Sequence, residues 1–153
     1  MQTGWAPVRE SNTRRSEKAR RLASFSGDGE VIPTKKAVEA LERLIALSNR
    51  VVLEGNNQKQ ADFLSRTLAE VDPAKVHDLH MIMPSVGRSE HLDIFGKGIA
   101  HKLDFSFSGP QSLRIPQLLQ DGQLEIGAIH TYTELYIPAL CRSQSERGAD
   151  YRL

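Results

Sequence analysis

Val51-Val52-Leu53-Glu54-Gly55-Asn56-Asn57-Gln58-Lys59-Gln60-Ala61-Asp62-Phe63-Leu64-Ser65-Arg66-Thr67-Leu68-Ala69 passes from an aliphatic run, through a glycine and six polar residues, into a stretch with apolar positions at helical spacing. The run Val51 to Leu53 is bounded by Asn49-Arg50 and Glu54-Gly55, which is the pattern of a short strand buried on both faces. Ala61, Leu64 and Leu68 then fall on one face of a helix with Phe63 beside them, and Asp72-Pro73 stops it. The stretch therefore reads as strand, loop and helix.

The same alternation continues in both directions. Upstream, Ser26-Gly27-Asp28-Gly29 is a turn-rich hinge, and Thr34 is a suitable N-cap, so order is expected to begin there. From Lys35 to Leu47 the apolar positions Ala37, Val38, Leu41, Leu44 and Ile45 predict a one-sided helix ended by Ser48-Asn49. Downstream, Val76 to Met83, Leu103 to Ser108 and Leu124 to Ile129 are strand candidates. Leu92, Phe95 and Ile99 give Glu90 to Ala100 a helical spacing interrupted by Gly96 and Gly98, and Pro116 shortens the helix that follows. Parallel neighbours need crossover connections, so this order predicts an α/β fold: a mainly parallel open sheet with helices on both faces.

The 153-residue chain is long enough for a single core, burying roughly 70% of the surface its unfolded form exposes. With 39% hydrophobic and 25% charged residues and a net charge of +1, it has the composition of a globular protein rather than a disordered tail. The amino terminus departs from this balance. Six basic residues (Arg9, Arg14, Arg15, Lys18, Arg20, Arg21) face Glu10 and Glu17, a net of +4 over the first 22 residues that leaves −3 for the remainder. Trp5 is the only aromatic there, so residues 1–30 read as a basic, flexible, solvated arm rather than a nucleic-acid-binding element. No apolar run approaches the ~18 residues of a membrane span. Cys141 is the only cysteine, which excludes a disulfide within the chain and fits a reducing, cytoplasmic setting.

The corner between strand and helix carries the most chemistry. Ligands of open α/β sheets sit beyond the carboxyl ends of strands, where free N–H groups favour anions. Gly55 allows close backbone approach, Asn56 and Asn57 are candidate oxyanion donors, and Gln58 and Lys59 are candidate ligand-binding residues. The same residues also suit an ordinary turn and N-cap with a solvated lysine. His130 follows a strand and is a further ligand candidate, with a structural role as the alternative. His77 and His80, three apart, point to opposite faces of a strand with no further ligands at metal-site spacing, so no metal is expected. Ser108-Gly109-Pro110-Gln111 reads as a strand-ending turn, Asp104 and Glu125 as strand-end polar groups, and Cys141 as an inert thiol with no base nearby.

Glu54 to Gln60, His77-Asp78-Leu79-His80-Met81, Leu103-Asp104-Phe105, Ser108 to Gln111 and Gly127-Ala128-Ile129-His130-Thr131-Tyr132 occur together in the order found in the malonate decarboxylase α subunit, a family this sequence resembles from about Val31 to Tyr136. The resemblance implies a CoA-transferase-like amino-terminal half. It also implies an enzyme that exchanges acetyl for malonyl on the phosphoribosyl-dephospho-CoA thiol of an acyl carrier subunit. Decarboxylase subunits act as partners, malonate and acetate are the exchanged acids, and no biotin is used. On this resemblance the attacking group lies in a second half, outside this chain. It leaves open whether malonate meets Arg88, Lys97 or that second half. Residues 31–136 form the partial α/β domain and 137–153 a divergent tail, where Arg, Ser, Gly and Gln replace an expected apolar strand, as a premature end or shifted frame produces. A sheet lacking its later strands exposes an edge, so the isolated chain is expected to be inactive, poorly soluble or oligomeric. The alternative is a non-enzymatic module that binds a CoA-like ligand or a partner subunit.

Overall fold

The computed structural model describes residues 6–23, 25, 31–53, 61–107, 109–129 and 151–152. Secondary structure starts well before Thr34: Ala6–Leu22 forms a 17-residue helix, α1. Its polar sequence carries no apolar stripe for periodicity to detect. Arg20 and Arg21 lie in the last turn, where cations complement the helix dipole. α1 packs against the next helix, and the buried Phe25 behind it lies with its ring 4.8 Å from the Arg43 guanidinium and 5.8 Å from Lys36 Nζ.

A 3₁₀ turn, Thr34–Lys36, opens into α2, Ala37–Leu44. The helix ends three residues earlier than its apolar spacing predicts because Ile45 turns extended, at φ −89° and ψ 133°, and inserts into the core. Asn49 Oδ1 then accepts the Ala46 N–H at 2.8 Å, and Ser48 takes a positive φ of 58°, closing the turn into β1, Arg50–Val52. After residue 61 come α3 (Asp62–Leu68), β2 (Leu79–Ser85), a 3₁₀ turn (Ser89–Leu92) running into α4 (Asp93–Gly96), and β3 (Ala100–Phe107). A 3₁₀ turn (Pro110–Ser112), α5 (Arg114–Gln120), β4 (Glu125–Ile129) and the two-residue β5 (Tyr151–Arg152) complete the described chain. Pro116 is the third residue of α5, where its missing N–H costs no helical bond.

The sheet order is β4-β3-β2-β1-β5, with every neighbouring pair parallel. The α/β, mainly parallel architecture is the one the sequence predicts. From β1 to β4 each connection steps one strand in the same direction, and right-handed crossovers then put α3, α4 and α5 on a single face. The covering layer expected on the other face does not fall among these helices. Leu79, Met81, Met83, Leu103 and Phe105, alternating along β2 and β3, form the core with Leu41, Leu68, Leu92, Phe95, Ile115 and Leu118 from the helical layer. Val52 and Ile82 are also buried but point to the opposite face, as parallel strands covered on both sides require.

Glu42 ties α2 to the turn before β2. Its Oε1 accepts the Asp72 N–H at 3.0 Å and its Oε2 the Lys75 ammonium at 2.7 Å. The Lys75 hydrogen bond, aided by that backbone donor, holds the Glu42 carboxyl below its ordinary 4.5. A depressed folded-state pKa adds stability above the unfolded value, and this is lost as pH falls through the folded one. Glu42→Gln should therefore lower the thermal midpoint near neutral pH, with the gap to wild type closing at pH values well below 4.5. A gap that persists unchanged in acid would show that the carboxylate charge contributes nothing.

Candidate functional site

β1 ends at Val52, and the Leu53 N–H carries the ladder one step further by donating to the Ile82 carbonyl at 3.0 Å. The chain therefore enters residues 54–60 from the carboxyl edge of the sheet and returns at Ala61 to start α3. Residue 130 likewise follows directly from Ile129, the last residue of β4. Gly55, Asn56, Asn57, Gln58, Lys59 and His130 all lie outside the described residues, as do Ser108 and Cys141. Of the expected site, the structure thus fixes the flanks.

What the carboxyl edge does show is the turn after β2, Arg88 to His91, which the sequence did not single out as a unit. Asp62, the first residue of α3, meets Arg66 at 2.9 Å and Arg88 at 3.6 Å. Arg114 from α5 clamps the turn, its Nη1 lying 3.0 Å from the Ser89 carbonyl and 2.6 Å from Asp93 Oδ1. His91 is 1% exposed, and its Nε2 has no hydrogen-bond partner among the described residues. Burial pushes its pKa below the ordinary 6.5, with the Arg88 charge acting in the same direction and Asp62 and Glu90 opposing it. A buried polar atom without a partner is uncommon and asks for an explanation. The only signal for it in the sequence is the position of Gly87-Arg88-Ser89-Glu90-His91 immediately after a strand.

A second polar cluster lies on the sheet face opposite the core. Asp104 is a correction to the strand-end reading: it sits inside β3, 6% exposed, with Arg50 Nη2 3.6 Å from one oxygen and His80 Nε2 2.9 Å from the other. The His80 contact is close in distance but not aligned as a hydrogen bond. Arg50 pairs in register with His80, so both reach Asp104 from neighbouring strands. Glu125 opens β4 at the surface, and its carboxyl is lowered chiefly by the hydrogen bond from Lys102, 3.0 Å away. His77 lies before β2 rather than in it, its Nδ1 2.9 Å from the Pro73 carbonyl. No group of three metal-binding side chains occurs among the described residues. This row is nearer the amino ends of the strands, the edge opposite the one where sheet ligands bind.

Gly127 makes room for the Asp104 cluster. Between Leu103 and Asp104 the partner on β4 jumps from Ile126 to Ala128, leaving Gly127 as an extra, bulged residue. A Cβ there would stand 2.2 Å from Asp104 Oδ1, 2.7 Å from Lys102 Cε and 3.3 Å from His80 Nε2. Lys102 can swing aside, but the Asp104 carboxylate is held by its partners. Gly127→Ala should therefore cost about 1–3 kcal/mol in denaturant unfolding. A midpoint equal to wild type would show that the carboxylate moves freely.

His91 predicts an acid response. A buried imidazole kept neutral gives stability that is complete above the unfolded pKa and lost as pH falls through 6.5 towards the folded value. His91→Gln, which cannot protonate, should flatten the decline of the unfolding midpoint between about pH 7 and pH 5. An unaltered slope would remove His91 as its source.

A family model described as "Malonate decarboxylase, alpha subunit, transporter" matches residues 5–143, so the match takes in α1 and runs past Tyr136. A curated relative from Malonomonas rubra, named acetyl-S-ACP:malonate ACP transferase, is 50% identical over 109 residues, which cover 71% of this chain and 20% of the relative. The crystal structure of a malonate decarboxylase alpha subunit from Acinetobacter baumannii is similar with a TM-score of 0.79 and 61% identity, over 86% of this chain and 25% of that one. A chain of a Pseudomonas malonate decarboxylase hetero-tetramer in complex with malonate gives 0.80 and 64%, over 88% of this chain and 25% of that one. The chain thus spans a fifth to a quarter of the length of these relatives. With the parallel sheet, its carboxyl-edge flanks and a match over most of its residues, the chain belongs to the malonate decarboxylase alpha subunit family.

Proposed function

We propose that this chain forms one wall of an acyl-carrier transferase site, at which acetyl-S-carrier and malonate become malonyl-S-carrier and acetate. The observation that carries the reading is the family match over residues 5–143, supported by 50% identity to a relative named for this transfer. One thioester bond breaks and one forms, with no change of oxidation state. Such an exchange needs donors for a developing oxyanion, positive groups for carboxylate or phosphate, and exclusion of bulk water.

Asn56 and Asn57 take the oxyanion role in this proposal, and Gly55, Gln58, Lys59 and His130 hold the ligand. The carrier's thiol belongs to a phosphoribosyl-dephospho-CoA group, and decarboxylase subunits consume the malonyl carrier. The attacking group is not assigned to any described residue. Residues 31–136 act as the partial CoA-transferase-like domain, 1–30 as a basic segment bearing α1, and 137–153 as a divergent tail. The setting is cytoplasmic; among the described residues no helix is long and apolar enough to cross a membrane.

The test mixes this chain with acetylated carrier subunit and isotopically labelled malonate. Label on the carrier, with an equal amount of acetate released, is the expected outcome for a competent chain. If no label transfers while CoA analogues still bind, the chain is a binding module and not a transferase.

A further inference from the structure

From Arg43 to Arg114 every described lysine and arginine has an acid or a backbone carbonyl as its partner. The end of α1 is built differently. Arg15, Arg20 and Arg21 are exposed, and among the described residues their guanidiniums have no ion pair or hydrogen bond. Glu17 lies one helical turn before Arg21 and is not paired with it. Residues 15–21 set four cations against this one acid, a net of +3.

The positive surface continues past the helix, and Phe25 draws it together. The Phe25 N–H donates to the Leu22 carbonyl at 2.8 Å, which fixes this residue just beyond the last turn of α1. Its buried ring lies 4.8 Å from the Arg43 guanidinium and 5.8 Å from Lys36 Nζ. Arg20 and Arg21 are therefore within a turn of two further cations, and the exposed Lys35 stands beside Lys36 without a partner among the described residues. Glu39 is the acid in their midst, and Arg43 holds it at 2.7 Å. Folding gains nothing from crowding like charges, whereas a surface of one sign raises the local potential and attracts a partner of the other. The family match begins at residue 5, so α1 belongs to the matched segment.

The chemistry around these cations selects the kind of partner. Bases of single-stranded nucleic acid stack on exposed aromatic rings, and Phe25 is 7% exposed. A helix lying on a membrane buries an apolar face, and α1 has no apolar stripe. Permanent subunit interfaces are large and more hydrophobic, which the same polar helix does not offer. A folded acidic surface that arrives and leaves in each turnover fits, because complementary charge speeds encounter without requiring a large apolar contact. We infer that α1 and the cations around Phe25 are the docking surface for an acidic face of the acyl carrier subunit. This rests on the transferase reading for the partner's identity.

Titrating the full 153-residue chain into fluorescently labelled carrier subunit, with anisotropy as the readout, tests the surface. Replacing Arg15, Arg20 and Arg21 together by Glu should weaken binding by roughly tenfold or more, and replacing all three by Lys should keep most of it. Raising salt from about 50 to about 200 mM should weaken the wild-type complex several-fold and the Glu variant less. In the label-exchange assay the Glu variant should raise KM for the carrier and leave kcat unchanged. Equal affinity of wild type and Glu variant, affinity insensitive to salt, or binding that requires the carrier's prosthetic group would overturn the docking surface. So would tighter arginine-dependent binding to duplex DNA, to anionic vesicles or to the decarboxylase subunits. Arginine-dependent carrier binding without label exchange would leave the surface standing and remove the transferase. Exchange with KM unaltered by the Glu replacements would do the reverse.

Discussion

The parallel pairing of β2 with β1 on one side and β3 on the other is the constraint on which the remaining structure depends. Parallel strands cannot be joined by a hairpin, so each step across the sheet requires a crossover, and α3, the Ser89–Gly96 segment and α5 supply them. A central parallel strand is also covered on both faces, which explains why all but one residue of Leu79–Ser85 is buried. The in-register row Arg50, His80, Lys102 then brings three basic groups side by side on the face away from the core. Asp104 answers that row from inside β3. Removing one partner of a buried pair generally costs more than the pair contributes, because it strands a charge away from water. The Gly127 bulge follows from the same requirement, since β4 can approach only where no Cβ meets the carboxylate.

Local pattern made much of this legible. Val51 to Leu53 followed by Ala61, Leu64 and Leu68 placed a strand and a helix correctly, because both periodicities act over a few residues. Boundaries failed where burial and secondary structure part company. Val76 is fully buried, yet it belongs to a turn, its N–H bonded to the Asp72 carbonyl at 3.0 Å; Asp78, at φ 59°, breaks the chain before β2 begins. Hydrophobicity reported where the chain is covered, not where the ladder starts. The helix read from Glu90 to Ala100 is split for a related reason: Gly98 takes a φ of 72°, and Ala100 is already the first residue of β3.

Contacts made across the sheet were not legible at all. Nothing near Asp104 in the sequence announces Arg50 or His80, and Leu103-Asp104-Phe105 resembles any strand interrupted by a polar residue. α1 was missed for the opposite reason: without an apolar stripe, a basic segment shows no period, and its packing on α2 is a tertiary fact. The candidate site divided along the same line. Glycine, asparagine and lysine after a strand can be seen in a sequence, whereas the burial of His91, whose Nε2 has no hydrogen-bond partner among the described residues, is a product of packing.

The polar groups at the two edges of the sheet are held in different ways. At the amino edge Lys97 is bonded to Ala69, Lys102 to Glu125, and His101 lies 2.8 Å from Asp78. At the carboxyl edge Asp62 is shared unequally between two arginines, and Nε2 of the buried His91 ring has no hydrogen-bond partner among the described residues. Each unmet buried polar group costs stability, and such conflicts with local stability gather at sites that receive a ligand. Buried ring nitrogens without a hydrogen-bond partner among the described residues occur on both sides, His80 Nε2 towards the amino ends and His91 Nε2 at the carboxyl edge, so it is the backbone clamped by Arg114, and not a count of unmet groups, that distinguishes the carboxyl edge.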